Sequence, residues 1–180
     1  MYRTSSSMIA LIGLPGSGKS TVGRQLARRL QVPFVDSDVV IEKQLGCSIR
    51  GYFEREGEAS FRDVEESVID QLTQESGGVL STGGGAVLRQ ANRTHLHERG
   101  QVVYLNAHPS EIFRRLRHDM NRPLLQVDNP LKRLQELYAQ RDPLYRQTAH
   151  FIIDTGRPSV ASLVNMIQMQ LELAGILPEK

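Results

Sequence analysis

Short apolar runs alternate with amphipathic stretches from one end of the chain to the other. Residues 8–12, 33–35, 79–81, 101–105 and 150–153 are brief and apolar, and Gly, Pro, Asp or Asn bounds each of them, so they predict short buried strands. Helical patterns lie between them. Val22, Leu26 and Leu30 share one face of a helix opening near Lys19, and Phe61, Val64, Val68, Ile69 and Leu72 share a face of another. Residues 111–117, 129–140 and 160–174 also predict helices, the last closed by Gly175. Strand–helix alternation of this kind predicts an α/β fold with a parallel sheet covered on both faces. Residues 118–129 fit neither period and contain Arg122-Pro123 and Asn129-Pro130, and a loop of that length is more often functional than idle.

Composition narrows the class. With 180 residues, 39% hydrophobic and 23% charged, the chain is expected to form one globular domain over 1–180. A net charge of +2 gives no field strong enough to recruit nucleic acid or an anionic membrane, so neither is expected as a partner. The 22 basic residues divide into 18 Arg and 4 Lys, and Arg suits bidentate recognition of carboxylates and phosphates. Cys47 is the single cysteine and fits a reducing compartment. The N-terminus is polar and no apolar run approaches the roughly 18 residues of a membrane span, so a cytoplasmic protein is expected. The histidines are scattered and suggest no metal site.

Gly13-Leu14-Pro15-Gly16-Ser17-Gly18-Lys19-Ser20 matches G-x-x-x-x-G-K-[ST], the phosphate-binding P-loop. It directly follows an apolar strand and opens a helix, where its mechanism requires it. The glycines let backbone N–H groups converge on a phosphate, and the helix N-terminus adds a favourable dipole. Lys19 is expected to contact phosphates only, reaching the β- and γ-groups, and the Ser20 hydroxyl to ligate Mg²⁺. Such a loop specifies a nucleoside triphosphate and leaves the acceptor open.

Three further features bear on the acceptor. Asp36-Ser37-Asp38 ends the second strand, on the edge of the sheet that lines the ligand crevice, and either serves the site or caps the next helix. Thr82-Gly83-Gly84-Gly85 follows the third strand; three glycines allow backbone to approach a ligand, or simply make a tight loop. Arg62, with Glu65 one turn on to orient it, Arg122 in the loop and Arg141 are candidate anion ligands, although arginines are more often solvated.

Together these segments resemble shikimate kinase over nearly the whole chain: the P-loop, Asp36-Ser37-Asp38, Gly57-Glu58…Phe61-Arg62…Glu65, Gly83-Gly84-Gly85, Arg122-Pro123-Leu124-Leu125 and Arg141…Tyr145, in that order. The resemblance implies a P-loop NTPase of nucleoside-monophosphate-kinase-like fold, with a five-stranded parallel sheet in the order 2-3-1-4-5. It also implies a substrate-binding segment at about 38–66 and a lid at about 117–129. The implied reaction is transfer of the ATP γ-phosphoryl to the 3-hydroxyl of shikimate, with Mg²⁺, on the route to chorismate and aromatic amino acids. By the same resemblance Lys19, Asp38 and Arg122 are catalytic, and Ser20 and Asp36 support the metal. Gly16, Ser17, Gly18, Lys19, Ser20, Thr21, Arg115, Arg122 and Arg157 bind ATP, while Asp38, Arg62, Gly84, Gly85 and Arg141 bind shikimate. A monomer is expected. The rival readings are another small-molecule kinase of this fold, for gluconate or a nucleoside monophosphate, and a nucleotide-binding regulatory module.

Overall fold

Met8–Ile12 is apolar throughout because it is covered on both faces. It forms β1, the central strand of a five-stranded sheet, and every one of its residues is buried. The computed structural model describes residues 7–75, 77–117, 127–156 and 159–177. In chain order the elements are β1, α1 (Lys19–Leu30), β2 (Phe34–Asp36), α2 (Ser37–Leu45), α3 (Ile49–Gln74), β3 (Val79–Ser81), a 3₁₀ turn (Ala86–Leu88), α4 (Gln90–Arg99), β4 (Gly100–Asn106), α5 (Pro109–Leu116), α6 (Pro130–Thr148), β5 (Phe151–Asp154) and α7 (Val160–Leu173). All strand pairings are parallel and the order is β2-β3-β1-β4-β5, as the resemblance implied.

Side-chain alternation along β1 divides the core into two layers. Met8, Ala10 and Ile12 point to the face covered by α2 to α6, with Ile41, Ile69, Leu96, Ile112 and Leu134 packed there. Ile9 and Leu11 point to the face covered by α1 and α7, against Val22, Leu26, Leu163 and Ile167. No described helix is long and apolar enough to cross a membrane.

The five strands fall within a residue or so of their predicted bounds. The helices depart further. Ser37–Leu45 is the helix anticipated by the capping reading of Asp36, and its Val40, Ile41 and Leu45 turn to the core. Gln90–Arg99 was not foreseen, because it presents too few apolar residues to mark a face, Leu96 being its buried apolar residue. Helix α6 runs to Thr148, well past the expected residue 140, with Pro143 inside it. Proline removes one backbone donor and normally ends a helix. Here the last turns are held by tertiary contacts, since Tyr145 is fully buried and the Tyr104 hydroxyl donates to Asp142 Oδ1 at 2.8 Å.

Helix α3 is broken at Gly57, whose φ of 84° no ordinary L-residue adopts without strain. A Cβ there would meet nothing within 4 Å, so glycine is required by backbone conformation and not by space. The break separates a short arm, whose Ile49 and Phe53 line a cavity, from a longer arm, whose Phe61, Val68, Ile69 and Leu72 join the core.

Candidate active site

The strands point their carboxyl ends at one crevice, and the site is built from the loops that leave them. The turn after β1 carries the P-loop into α1. Gly18 caps that helix in the left-handed region at φ 93°, and the cap supplies no side-chain hydrogen bond. Helices α2, α3, α6 and α7, by contrast, are capped by the side chains of Asp36, Ser48, Asn129 and Ser159. The N-terminal amides of α1 therefore remain available to an anion. Lys19 is 7% exposed, and its Nζ donates to Gly13 O and Leu14 O, both at 2.8 Å. The expectation that Lys19 touches phosphate alone is thus corrected: the ammonium also ties the loop to itself, because a buried charge must find acceptors.

Asp36 caps α2 and also reaches the phosphate loop. Its Oδ1 accepts from the Asp38 backbone N–H at 2.9 Å, and its Oδ2 accepts from Ser20 Oγ at 2.7 Å. Strand register sets this up, since Asp36 pairs with Ser81, whose hydroxyl lies 3.3 Å from Ser20 Oγ. Three hard oxygen donors converge beside the phosphate loop.

Two cavities meet here. One, of about 290 Å³, is lined by P-loop residues Pro15, Gly16 and Gly18–Thr21 together with Asp36, Asp38 and Thr82–Gly84. The other, of about 430 Å³, is lined by Ile49, Phe53, Phe61, Arg62, Glu65, Gly85, Leu116 and Arg141. Pro15, Gly16, Asp38, Gly83 and Gly84 border both. Asp38 thus stands at the junction, and among the described residues its carboxylate accepts no hydrogen bond.

The glycine triplet is explained by space. None of the three has a positive φ. A Cβ on Gly83 would lie 2.7 Å from Asp38 Oδ1 and 3.3 Å from Glu65 Oε2, and one on Gly84 would lie 2.5 Å from Pro15 Cδ. One on Gly85 would collide with the Arg62 guanidinium. Each glycine lets a different wall of the cleft close on the loop.

Charge is concentrated in the larger cavity. Arg62 donates to Glu65 Oε1 at 2.8 Å and to Glu58 Oε1 at 3.4 Å. This is no surface pair, because the Arg62 side chain is 13% exposed and that of Glu65 only 1%. Burial pushes the Glu65 carboxyl upward, with Arg62 opposing. Asp38 is pushed up to about 6, first by burial and then by the negative charges of Asp36 and Glu65, with Lys19 opposing. Among the described residues, the buried Nε atoms of Arg62 and Arg141 find no hydrogen-bond partner. Two forked cations on one wall can hold a carboxylate, and a raised-pKa carboxylate at the junction can receive a proton.

The sequence model of the shikimate kinase family matches residues 15–172. A shikimate kinase of Paracidovorax citrulli is 66% identical over 173 residues, covering 94% of either chain. This chain belongs to the shikimate kinase family. A relative from Ralstonia nicotianae, also a shikimate kinase, is 58% identical over 173 residues, covering 96% of this chain and 91% of the other. Among solved structures, shikimate kinase from Acinetobacter baumannii in complex with shikimate superposes with a TM-score of 0.87 at 45% identity, covering 94% of either chain. A gluconokinase from Sinorhizobium meliloti, at 17% identity and a TM-score of 0.57, shares the fold.

Set beside the shikimate kinase pattern, the structure gathers Gly16, Gly18, Lys19, Ser20, Thr21, Asp36, Asp38, Arg62, Gly84, Gly85 and Arg141 around the paired cavities. Ser17 is buried behind the loop, its N–H donating to Leu14 O. Arg115 lies outside both linings; it is 3.5 Å from Ser17 O and pairs with Glu111 at 3.6 Å. Arg122 and Arg157 lie outside the described residues, as does most of the segment 117–129. Sequence reasoning assigned no site role to Pro15, Ile49, Phe53, Phe61 or Gly83, which complete the walls. For Gly83 the triplet itself was the signal, whereas the apolar wall residues look like any core residue until the cavity is seen.

Proposed function

We propose that this protein transfers the γ-phosphoryl group of ATP to the 3-hydroxyl of shikimate, giving shikimate 3-phosphate and ADP. The observation that carries this reading is the meeting of a cavity lined by the P-loop and a cavity lined by Arg62 and Arg141 at Asp38. The names of the close relatives, and the shikimate bound to the Acinetobacter enzyme, support it.

In this reading the backbone amides of Gly16–Thr21 and the Lys19 ammonium hold the ATP phosphates. Lys19 exchanges its loop carbonyls for phosphate oxygens. Ser20 and Asp36 fit a divalent cation, because Mg²⁺ takes hard oxygen ligands from one or two protein groups beside substrate phosphates. When bound, that ion neutralises charge developing on the transferring group. Arg62 and Arg141 grip the shikimate carboxylate, and the Gly84 and Gly85 backbone contacts the ring substituents. Asp38 orients the acceptor hydroxyl and receives its proton as the oxygen attacks phosphorus and the bond to ADP breaks. Arg122 is assigned to the transferring phosphate from the lid at about 117–129, and Arg115 and Arg157 to the adenine. Residues 38–66 form the substrate-binding segment of a single domain, 1–180. The enzyme is proposed to work as a monomer in the cytoplasm. The gluconate alternative rests on likeness of fold alone.

A coupled assay of ADP release tests the reaction: release should depend on shikimate and be negligible with gluconate or a nucleoside monophosphate. Shikimate-independent ADP release at the same rate would refute the proposal. Arg62→Lys and Arg141→Lys test the clamp. An ammonium cannot reproduce the fork, so each change should lower kcat/KM for shikimate about ten- to a hundred-fold while ATP affinity holds. Near-normal shikimate kinetics in both variants would remove the arginines from the carboxylate.

A further inference from the structure

We infer that Tyr145 is a positioning residue of the acceptor site: its buried hydroxyl ties α6, one turn beyond Arg141, to the Gly84 carbonyl and so sets the distance between two groups proposed to hold shikimate. The inference rests on the function proposed above and goes beyond its residue assignments.

Tyr145 lies four residues after Arg141 on α6, on the same face of the helix, and is 0% exposed. Its hydroxyl donates to Gly84 O at 2.6 Å. Burial pushes the phenol above its ordinary range, with the positive charge of Arg141 opposing. The phenol stays neutral and keeps its proton for Gly84. A phenylalanine would fill the same volume and donate nothing. Beyond Gly84 the contact continues, because that residue is packed so tightly on Pro15 that no Cβ fits between them. Tyr145, Gly84 and Pro15 thus join the part of α6 that carries Arg141 to the phosphate loop.

The ring itself is held independently. Tyr145 packs against Tyr104 at 4.9 Å between centroids, and the Tyr104 hydroxyl donates to Asp142. Tyr104 provides the control, since Tyr104→Phe also deletes a buried phenolic hydrogen bond to α6 but one that reaches neither Arg141 nor Gly84.

Steady-state kinetics at saturating ATP, melting temperatures and crystal structures are to be compared for wild type, Tyr145→Phe and Tyr104→Phe. Tyr145→Phe should raise the shikimate KM by about five- to twenty-fold, lower kcat by less than about threefold and leave the KM for ATP unchanged. Tyr104→Phe should lower the melting temperature while moving the shikimate KM less than about twofold. In the crystal, the Arg141 guanidinium or the Gly84 carbonyl should shift in Tyr145→Phe and stay in place in Tyr104→Phe. An unchanged shikimate KM in Tyr145→Phe, or equal rises in both variants, overturns the inference. If the wild type releases no ADP in response to shikimate, the proposed function fails, and the crystallographic comparison still decides the positioning role: undisturbed Arg141 and Gly84 refute it.

Discussion

Asp38→Asn is expected to lower turnover by about 10²- to 10⁴-fold, the range for loss of a positioned general base, while raising the melting temperature of the substrate-free protein. The two effects have one cause. Asp38 is shifted from 3.8 to about 6 because folding buries it among like charges. Between those values the folded chain binds more protons than the unfolded chain, so stability falls as pH rises through the interval, and the full cost is present above it. Removing the charge should recover on the order of 2 kcal/mol at pH 7.5, equivalent to roughly 4–8 °C for a chain of this size. Calorimetry at pH 7.5 and pH 4 measures it, and the gain should shrink at the lower pH. Wild-type kcat/KM should show an acid limb near pH 6, since protonated Asp38 cannot accept the substrate proton. An Asp38→Asn protein with full turnover, or with an unchanged melting temperature at both pH values, would contradict this account.

Lys19→Ala should reduce kcat by at least about 10²–10³-fold, the usual effect of deleting one preorganised group that meets transition-state charge. It should also loosen the loop, because Gly13 O and Leu14 O lose their charged donor. ATP affinity should therefore fall together with kcat, and the melting temperature should drop modestly as well. Single-turnover kinetics separate the chemical step from binding. A folded Lys19→Ala protein that turns over normally would mean that another cation meets the γ-phosphate.

Much of the fold was legible because it depends on local pattern. A strand buried on both faces is mostly apolar, and β1 and the centres of β3 and β4 stand out for that reason. The phosphate loop was legible because its chemistry is performed by backbone over eight consecutive residues, so spacing alone records it. Helix α2 was legible through its cap Asp36. Helix α4 was missed because it is held by its neighbours rather than by an apolar stripe: Arg89 at its start reaches back to Asp63 and Glu66 on α3 at 2.6 and 3.1 Å. Pro143 pointed to a helix end, and only the buried contacts of Tyr145 and Asp142 carry α6 past it.

The sequence by itself determined the sheet, the phosphate cradle and, through the order of its motifs, the family resemblance, because each is written in neighbouring residues. The tertiary structure decided what those residues do to one another. Arg62 read as a candidate anion ligand oriented by Glu65, with a solvated helical pair as the alternative, until burial placed both in a cavity wall. Asp38 read as one of two acids in a tripeptide until Gly83, which follows a different strand, brought its loop against that carboxylate and Glu65. Pairing, desolvation and close approach arise between segments far apart in the chain, so charge state and reach belong to the folded molecule alone.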